Sequence, residues 1–201
     1  MGPPATERRC GPDIAEQGAT RSPYPSRPDA LSSCAVSDDT FTVRAMTKSD
    51  LPATAQLAGR LVRMHHDLDP RRFLHLANPE AGYARYFAGE LESDAVVLLV
   101  AERAGDGAIV GYAYGRLEPR SYNELLDACG KLHDVYVEES ARGHRLGEQL
   151  VTEVVRRLTE KGAPRVLLLT AVQNEAAQHL FKKLGFRTTM LEMTREADPA
   201  V

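Results

Sequence analysis

The sequence lacks any apolar run of membrane-spanning length. Its N-terminus has no apolar core of the kind a secretory signal requires. Cysteine is scarce: Cys10, Cys34 and Cys129 are odd in number and irregularly spaced, which suits neither a disulfide framework nor a zinc site. Positive charge is not in excess, since 25 Lys and Arg face 28 Asp and Glu for a net charge of −3. A general nucleic-acid binder would show a basic face, so this balance argues against one. No internal repeat is present. A glycine-rich G-x-G-x-x-G turn after an early strand is also absent, which counts against a dinucleotide-binding domain. These absences point to a soluble cytoplasmic protein with no metal centre and no membrane or nucleic-acid partner.

What is present divides unevenly. Residues 1–39 hold six of the twelve prolines, with Ser, Arg, Asp and Gly between them and few large apolar side chains. Such a segment cannot bury enough apolar surface to offset its ordering entropy, so a disordered tail is expected there. Residues 40–196 carry periodic apolar patterns and are read as one domain with room for a core. Residues 197–201 are read as a short C-terminal tail.

Within the domain, 41–46 alternates as a first strand. Thr47 to Asp50 has helix-start chemistry, with Pro52 tolerated in the first turn. Leu51, Ala55, Leu57, Leu61, Val62 and Met64 form a helical apolar face, and Pro70 marks a bend before a second helix over about 81–91. Residues 95–102 and 108–115 read as strands joined by a Gly105-Asp106-Gly107 turn. Residues 116–130 read as a polar connection that contains Glu118 and Cys129. A strand over 133–137 leads through a polar turn into a helix that carries Leu146, Leu150, Val151, Val154, Val155 and Leu158 on one side. Gly162 ends it. A buried strand over 165–170, a helix capped by Asn174 and stopped by Gly185, and a final strand or strand pair over 186–193 complete the chain. The order β-α-α-β-β-β-α-β-α-β is that of an α/β mixed sheet flanked by helices.

The turn into the third helix has its own chemistry. The first amides of a helix have no partner within it and form the positive end of its dipole. Gly143 and Gly147 keep side chains off that backbone, and Arg142 and Arg145 add positive charge. An anion fits such a site, and a pyrophosphate fits it best.

Arg142-Gly143-His144-Arg145-Leu146-Gly147 resembles the acetyl-coenzyme A signature of the GCN5-related N-acetyltransferases, Q/R-x-x-G-x-G/A, with Arg145 in place of the middle glycine. The segment from Asn174 to Phe186 resembles the family's late block, N-x-x-A-x-x-x-Y-x-x-x-G-F, with Phe181 at the tyrosine position. The resemblance spans about 41–195. It implies a mostly antiparallel sheet and an N-acetyltransferase that moves an acetyl group from acetyl-coenzyme A to a primary amine by direct attack in a ternary complex. The acceptor would be a small-molecule amine or a peptide amine. By the same resemblance, backbone groups of Val135, Tyr136 and Val137 hold the pantetheine arm and polarise the acetyl carbonyl, with the N–H of Val135 or Tyr136 as donor. The signature residues Arg142, Gly143, His144, Arg145, Leu146 and Gly147 hold the phosphates, and Asn174 and Phe181 lie beside the cofactor. The first two helices help wall the acceptor site, so His65, His66, Asp67 and Asp69 are expected on its rim or on the surface; their spacing fits no zinc pattern. A homodimer through the last strands is a further implication.

An amine of pKa about 10.4 must lose a proton before it attacks. The candidate bases are His133, Asp134 and Glu118. On a regular strand His133 and Asp134 face opposite sides, with His133 on the side of Val135 and Val137, so only one of them can meet the substrate. Phe181 cannot donate a proton to the leaving thiolate, so either the thiolate departs unassisted, which is the preferred expectation, or another group such as Tyr136 or Tyr122 serves, or the protein is a poor catalyst. Phe181 and Arg145 also favour a second reading, a non-catalytic module that binds an acyl-coenzyme A.

Overall fold

The computed structural model describes residues 40–197. The expectations for the tail over 1–39, and for all but residue 197 of the C-terminal tail, concern residues outside that range. Five strands form one sheet in the order β1 (Phe41–Ala45), β2 (Val96–Arg103), β3 (Ile109–Glu118), β4 (Cys129–Val137), β5 (Val166–Leu168). Neighbours run antiparallel except β4 and β5, which are parallel. The helices are α1 (Leu51–Leu68), α2 (Pro79–Glu90), α3 (Leu146–Glu160) and α4 (Glu175–Lys183).

Alternation along β2 shows how the two faces are built. Val97, Leu99 and Ala101 point to one side and pack with Leu146, Leu150, Val151, Val154 and Leu158 of α3. Leu98 and Val100 point to the other and pack with Leu57, Ala58 and Leu61 of α1 and Phe87 of α2. Burying each such side chain contributes about 1.5–3 kcal/mol. Gly115 on β3 lets α3 approach the sheet, because a Cβ there would sit 2.6 Å from a Val154 methyl. Asn174 caps α4 as expected, accepting from the Ala177 amide at 3.1 Å. Gly185 follows that helix at φ +86, in the left-handed region.

Three expectations change. The strands around the polar connection are longer than their sequence suggests: β3 runs to Glu118, and Cys129 is the buried first residue of β4 rather than a loop thiol. Ladder pairing of Glu118 with Cys129 carries the strands past their last apolar residues. Burial pushes the Cys129 thiol up, so it is poorly ionised. The last segment forms no strand. Phe186 packs on the α3-side core, and beyond it Met190, Leu191 and Met193 are exposed. The sheet offers that segment little to pair with, because β5 is only three residues long.

One buried polar group ties β1 to the start of α1. Asp50, 6% exposed, accepts from Arg44 at 2.7 and 2.9 Å and from the Thr47 amide at 2.8 Å. Arg44 also pairs with Glu102 of β2. The Arg44 guanidinium, against the cost of burial, holds the Asp50 carboxyl down at about 2. A depressed carboxylate stabilises the fold in full above its ordinary pKa of about 4 and loses that contribution as pH falls through about 2. Asp50→Asn should therefore cost about 2 kcal/mol at pH 7 and little at pH 2. Urea unfolding of both proteins at the two pH values checks this; an equal deficit at both would refute it.

Candidate active site

Strand β4 is the axis of the site, and a bulge sets its geometry. Tyr114 of β3 pairs with Asp134, yet the next residue, Gly115, pairs with Leu132. His133 is the extra residue. Leu132 and Val135 pack on the α3 side, whereas the Asp134 carboxylate accepts from the Tyr112 hydroxyl at 3.2 Å on the α1–α2 side. The bulge turns His133 to that same side, where its ring stacks on Tyr114 at 5.0 Å and 21°. The expectation that His133 and Asp134 face opposite sides, with His133 beside Val135 and Val137, is thus wrong. Both lie on the α1–α2 face of the sheet.

Glu118 joins them. His133 Nε2 lies 2.9 Å from Glu118 Oε1. A carboxylate only accepts, so Nε2 carries the proton and Nδ1 is the basic nitrogen. Asp134 is half-buried, and burial raises its carboxyl above the ordinary range despite the Tyr112 hydrogen bond and the nearby His133 and His65. Burial raises the Tyr112 phenol further, with the Asp134 charge as second cause, so its hydroxyl stays a donor.

The opposite edge of β4 opens. Its parallel pairing with β5 ends at Leu132 and Leu168. On the β3 side the Glu138 amide donates to the Val110 carbonyl at 2.8 Å. Antiparallel alternation then turns the amide and carbonyl of Tyr136 toward Tyr112, and those of Val135 and Val137 away from β3, into the gap. Of the two donors considered, Val135 faces the opening and Tyr136 does not.

Beyond Val137 the chain turns through Glu139–Ala141 into the start of α3. The first intrahelical bond runs from the Gln149 amide to the Arg145 carbonyl, so the amides of Leu146, Gly147 and Glu148 have no helical partner. Gly143 has φ +88, and Arg145 has φ +60, a left-handed conformation that glycine adopts freely and arginine does not. The backbone therefore keeps the shape that a glycine at this position would give. Arg142 and His144 are exposed, and the His144 ring lies 4.9 Å from Phe41. Arg145 and Lys183 both bond Glu148, at 2.9 and 2.6 Å, and hold its carboxyl at about 2. Gly147 abuts α4, where a Cβ would lie 3.3 Å from Leu180. Phe181 is 7% exposed and packs in the α3-side core near Phe186, at 5.9 Å between rings.

Two tyrosines near Asp134 were not singled out from the sequence. Tyr112 and Tyr83 both lie in the field of Asp134. Tyr112 shares a strand face with Tyr114 and Glu118, and that alternation was the available signal. His65, expected on the rim or on the surface, also lies close enough to act on Asp134. His66 instead bonds the Phe73 carbonyl at 3.0 Å, Asp69 caps the turn after α1 through the Arg71 and Arg72 amides, and Asp67 is exposed. Among the described residues no group of three or more His, Cys, Asp or Glu is placed to hold a metal ion, and no helix is long and apolar enough to cross a membrane.

Residues 61–186 match the model of the acetyltransferase (GNAT) family. Mycothiol acetyltransferase of Thermomonospora curvata is 29% identical over 106 residues, which are 53% of this chain and 33% of that protein. Its counterpart in Cellulomonas flavigena is 28% identical over 145 residues, 66% of this chain and 39% of that protein. The chain thus spans between a third and two-fifths of the length of these curated relatives. A solved aminoglycoside N-acetyltransferase in complex with CoA superposes with a TM-score of 0.61 at 22% identity, covering 80% of this chain and 97% of that one, a likeness of fold.

The left-handed Arg145 yields a stability test. Arg145→Ala keeps a side chain in a region that costs about 1–2 kcal/mol, whereas Arg145→Gly does not. After the larger unfolded-state entropy of glycine is subtracted, Arg145→Gly should be more stable than Arg145→Ala by about 1 kcal/mol. Thermal unfolding of the two variants measures this, and an Ala variant as stable as the Gly variant would contradict the backbone geometry.

Proposed function

Because the chain belongs to the acetyltransferase (GNAT) family, we propose that it transfers an acetyl group from acetyl-coenzyme A to a primary amine by direct attack within a ternary complex. The observation that carries this reading is the parting of β4 from β5 beyond Leu132, in line with the open amides of α3. The gap would hold a pantetheine arm against the backbone of Val135 and Val137. The amides from Leu146 to Glu148 and the guanidinium of Arg142 would meet the pyrophosphate. Acetyl-coenzyme A supplies an activated carbonyl and a thiolate leaving group.

The protein's own groups divide the remaining work. The Val135 N–H would donate to a carbonyl oxygen that gains charge. His133 Nδ1 takes a proton from the amine, and Glu118 fixes the tautomer that makes this possible. Asp134 supplies a carboxylate beside the same nitrogen. Strand amides lie in the plane of the sheet, while His133 and Asp134 project from it toward α1 and α2. The amine therefore approaches the acyl group from that face. Asn174 caps α4, and Phe181 fills core volume, so neither protonates the leaving group. A coenzyme A thiolate departs at neutral pH without such help, since a simple thiol has a pKa of about 8.5. Cytoplasmic location belongs to this reading, as does self-association through the exposed segment after α4. The domain limits, 40–196, and the loose terminal segments are proposed with it.

The buried Phe181 also supports the second reading, a binding module without turnover. Calorimetry with acetyl-coenzyme A followed by amine-dependent thiol release separates the two. We expect one site per chain and turnover that falls about 10²- to 10⁴-fold in His133→Ala with donor affinity unchanged. Binding without turnover on any amine would favour the module. Turnover indifferent to His133→Ala would remove the proposed base.

A further inference from the structure

A bulged residue is left unpaired in the ladder, so the direction of the His133 ring must come from side chains. One hydrogen bond does not fix it. Nε2 donates to Glu118 Oε1 at 2.9 Å, but the ring can still pivot about that contact, since the outer torsion of a histidine is soft. The face of the ring supplies the second restraint. It lies on the Tyr114 ring at 5.0 Å between centroids and 21° between planes, a stack rather than an edge contact.

Tyr114 is itself held at its far end. Its hydroxyl donates to Glu90 Oε2 at 2.6 Å; with its one proton committed there, it accepts from the Tyr86 hydroxyl at 2.8 Å. Arg116 Nη1 reaches both Glu90 oxygens at 2.8 Å. Burial first, and the Glu90 hydrogen bond second, raise the Tyr114 phenol, so it stays a donor. Glu90 and Tyr86 belong to α2, whereas Tyr114, Arg116 and Glu118 alternate along one face of β3. Filling core volume would need none of this. Tyr114 is 3% exposed, and a phenylalanine would occupy nearly the same space.

Resting on the reading of His133 as the base, we propose that Tyr114 is its positioning residue. Anchored to Glu90 of α2, the Tyr114 ring holds the imidazole in the orientation that keeps Nε2 on Glu118 and Nδ1 free for the amine. Tyr114 touches no reacting atom in this scheme. Without it the ring would rotate, exchange tautomers and present its basic nitrogen only part of the time.

NMR of the full chain, labelled in its histidine rings and held at a pH where imidazoles are neutral, tests this without cofactor or amine. The His133 signals are assigned by their loss in His133→Ala. We expect its two ring nitrogens to have widely separated shifts, one pyridine-like and one pyrrole-like. Its carbon-bound ring protons should lie upfield, in the ring current of Tyr114. Tyr114→Leu should draw the nitrogen shifts together, and Tyr114→Phe, which keeps the ring, should leave them apart. Thiol release from acetyl-coenzyme A with 2-phenylethylamine, spermidine or kanamycin is the second readout. There Tyr114→Leu should lower kcat by about 10- to 10²-fold with coenzyme A affinity unchanged, and Tyr114→Phe should retain most of it. Nitrogen shifts in Tyr114→Leu that match the unaltered chain would overturn the inference. So would averaged nitrogen shifts, or ring protons without an upfield displacement, in the unaltered chain itself. If Tyr114→Leu does not fold, the same shifts in the unaltered chain and in Tyr114→Phe decide. The two levels separate. Thiol release absent with all three amines, or indifferent to His133→Ala, sinks the base and this inference with it. Release lost in His133→Ala but unmoved in Tyr114→Leu sinks only the positioning role.

Discussion

A strand inside a sheet must satisfy the amides on both of its edges, and β4 does so on only one beyond Leu132. Toward β3 its ladder continues to Glu138, but on the other side β5 stops at Leu168. The rest of the site depends on this half-paired strand. Donors and acceptors of Val135 and Val137 are left facing a gap, already oriented by the ladder on the opposite edge. An extended ligand that entered would complete the sheet rather than distort it. Because β3 and α3 hold β4 rigidly, little reorganisation would accompany binding, the condition under which a backbone donor stabilises developing charge best.

The bulge at His133 solves a second problem on the same strand. A regular strand would put Asp134 on the α1–α2 face and His133 among the apolar side chains that pack on α3. An imidazole there would need a partner in a region of Leu and Val. One extra residue moves it to the polar face, onto Tyr114 and within reach of Glu118. That face thereby carries a tautomer-fixed imidazole and a carboxylate side by side. Their environments differ: burial raises the Asp134 carboxyl, while His133 is exposed with a carboxylate behind it.

This difference explains what could be read from the residues alone. Most element types followed from periodicity, and the turn before α3 followed from its glycines, because both depend on interactions within a few residues. The bulge could not be read, since it arises from the register between Gly115 and Leu132, residues seventeen apart with nothing local to mark them. His65 was placed only on the rim or on the surface for a related reason: His65 and His66 look alike in sequence, and packing alone directs one to Leu61 and Asp134 and the other to the Phe73 carbonyl. The segment after Phe186 has strand-like composition, but a strand also needs an edge, and three residues of β5 supply too little of one.

Arg145 and Phe181 depart from the expected signature for opposite physical reasons. At Arg145 the backbone retains the left-handed geometry although the residue disfavours it, so the shape of the turn is maintained at a cost of about 1–2 kcal/mol. The Arg145 guanidinium pairs with Glu148 in the first turn of the helix. At Phe181 no strain is needed, because a ring without a hydroxyl belongs in the α3-side core, where a phenol would require a partner. The turn thus keeps a glycine-like shape under an arginine side chain, while position 181 is given over to packing. Strain tolerated where the donor would bind, and not where the leaving group would be protonated, fits a site whose chemistry rests on holding the acyl group and freeing the amine.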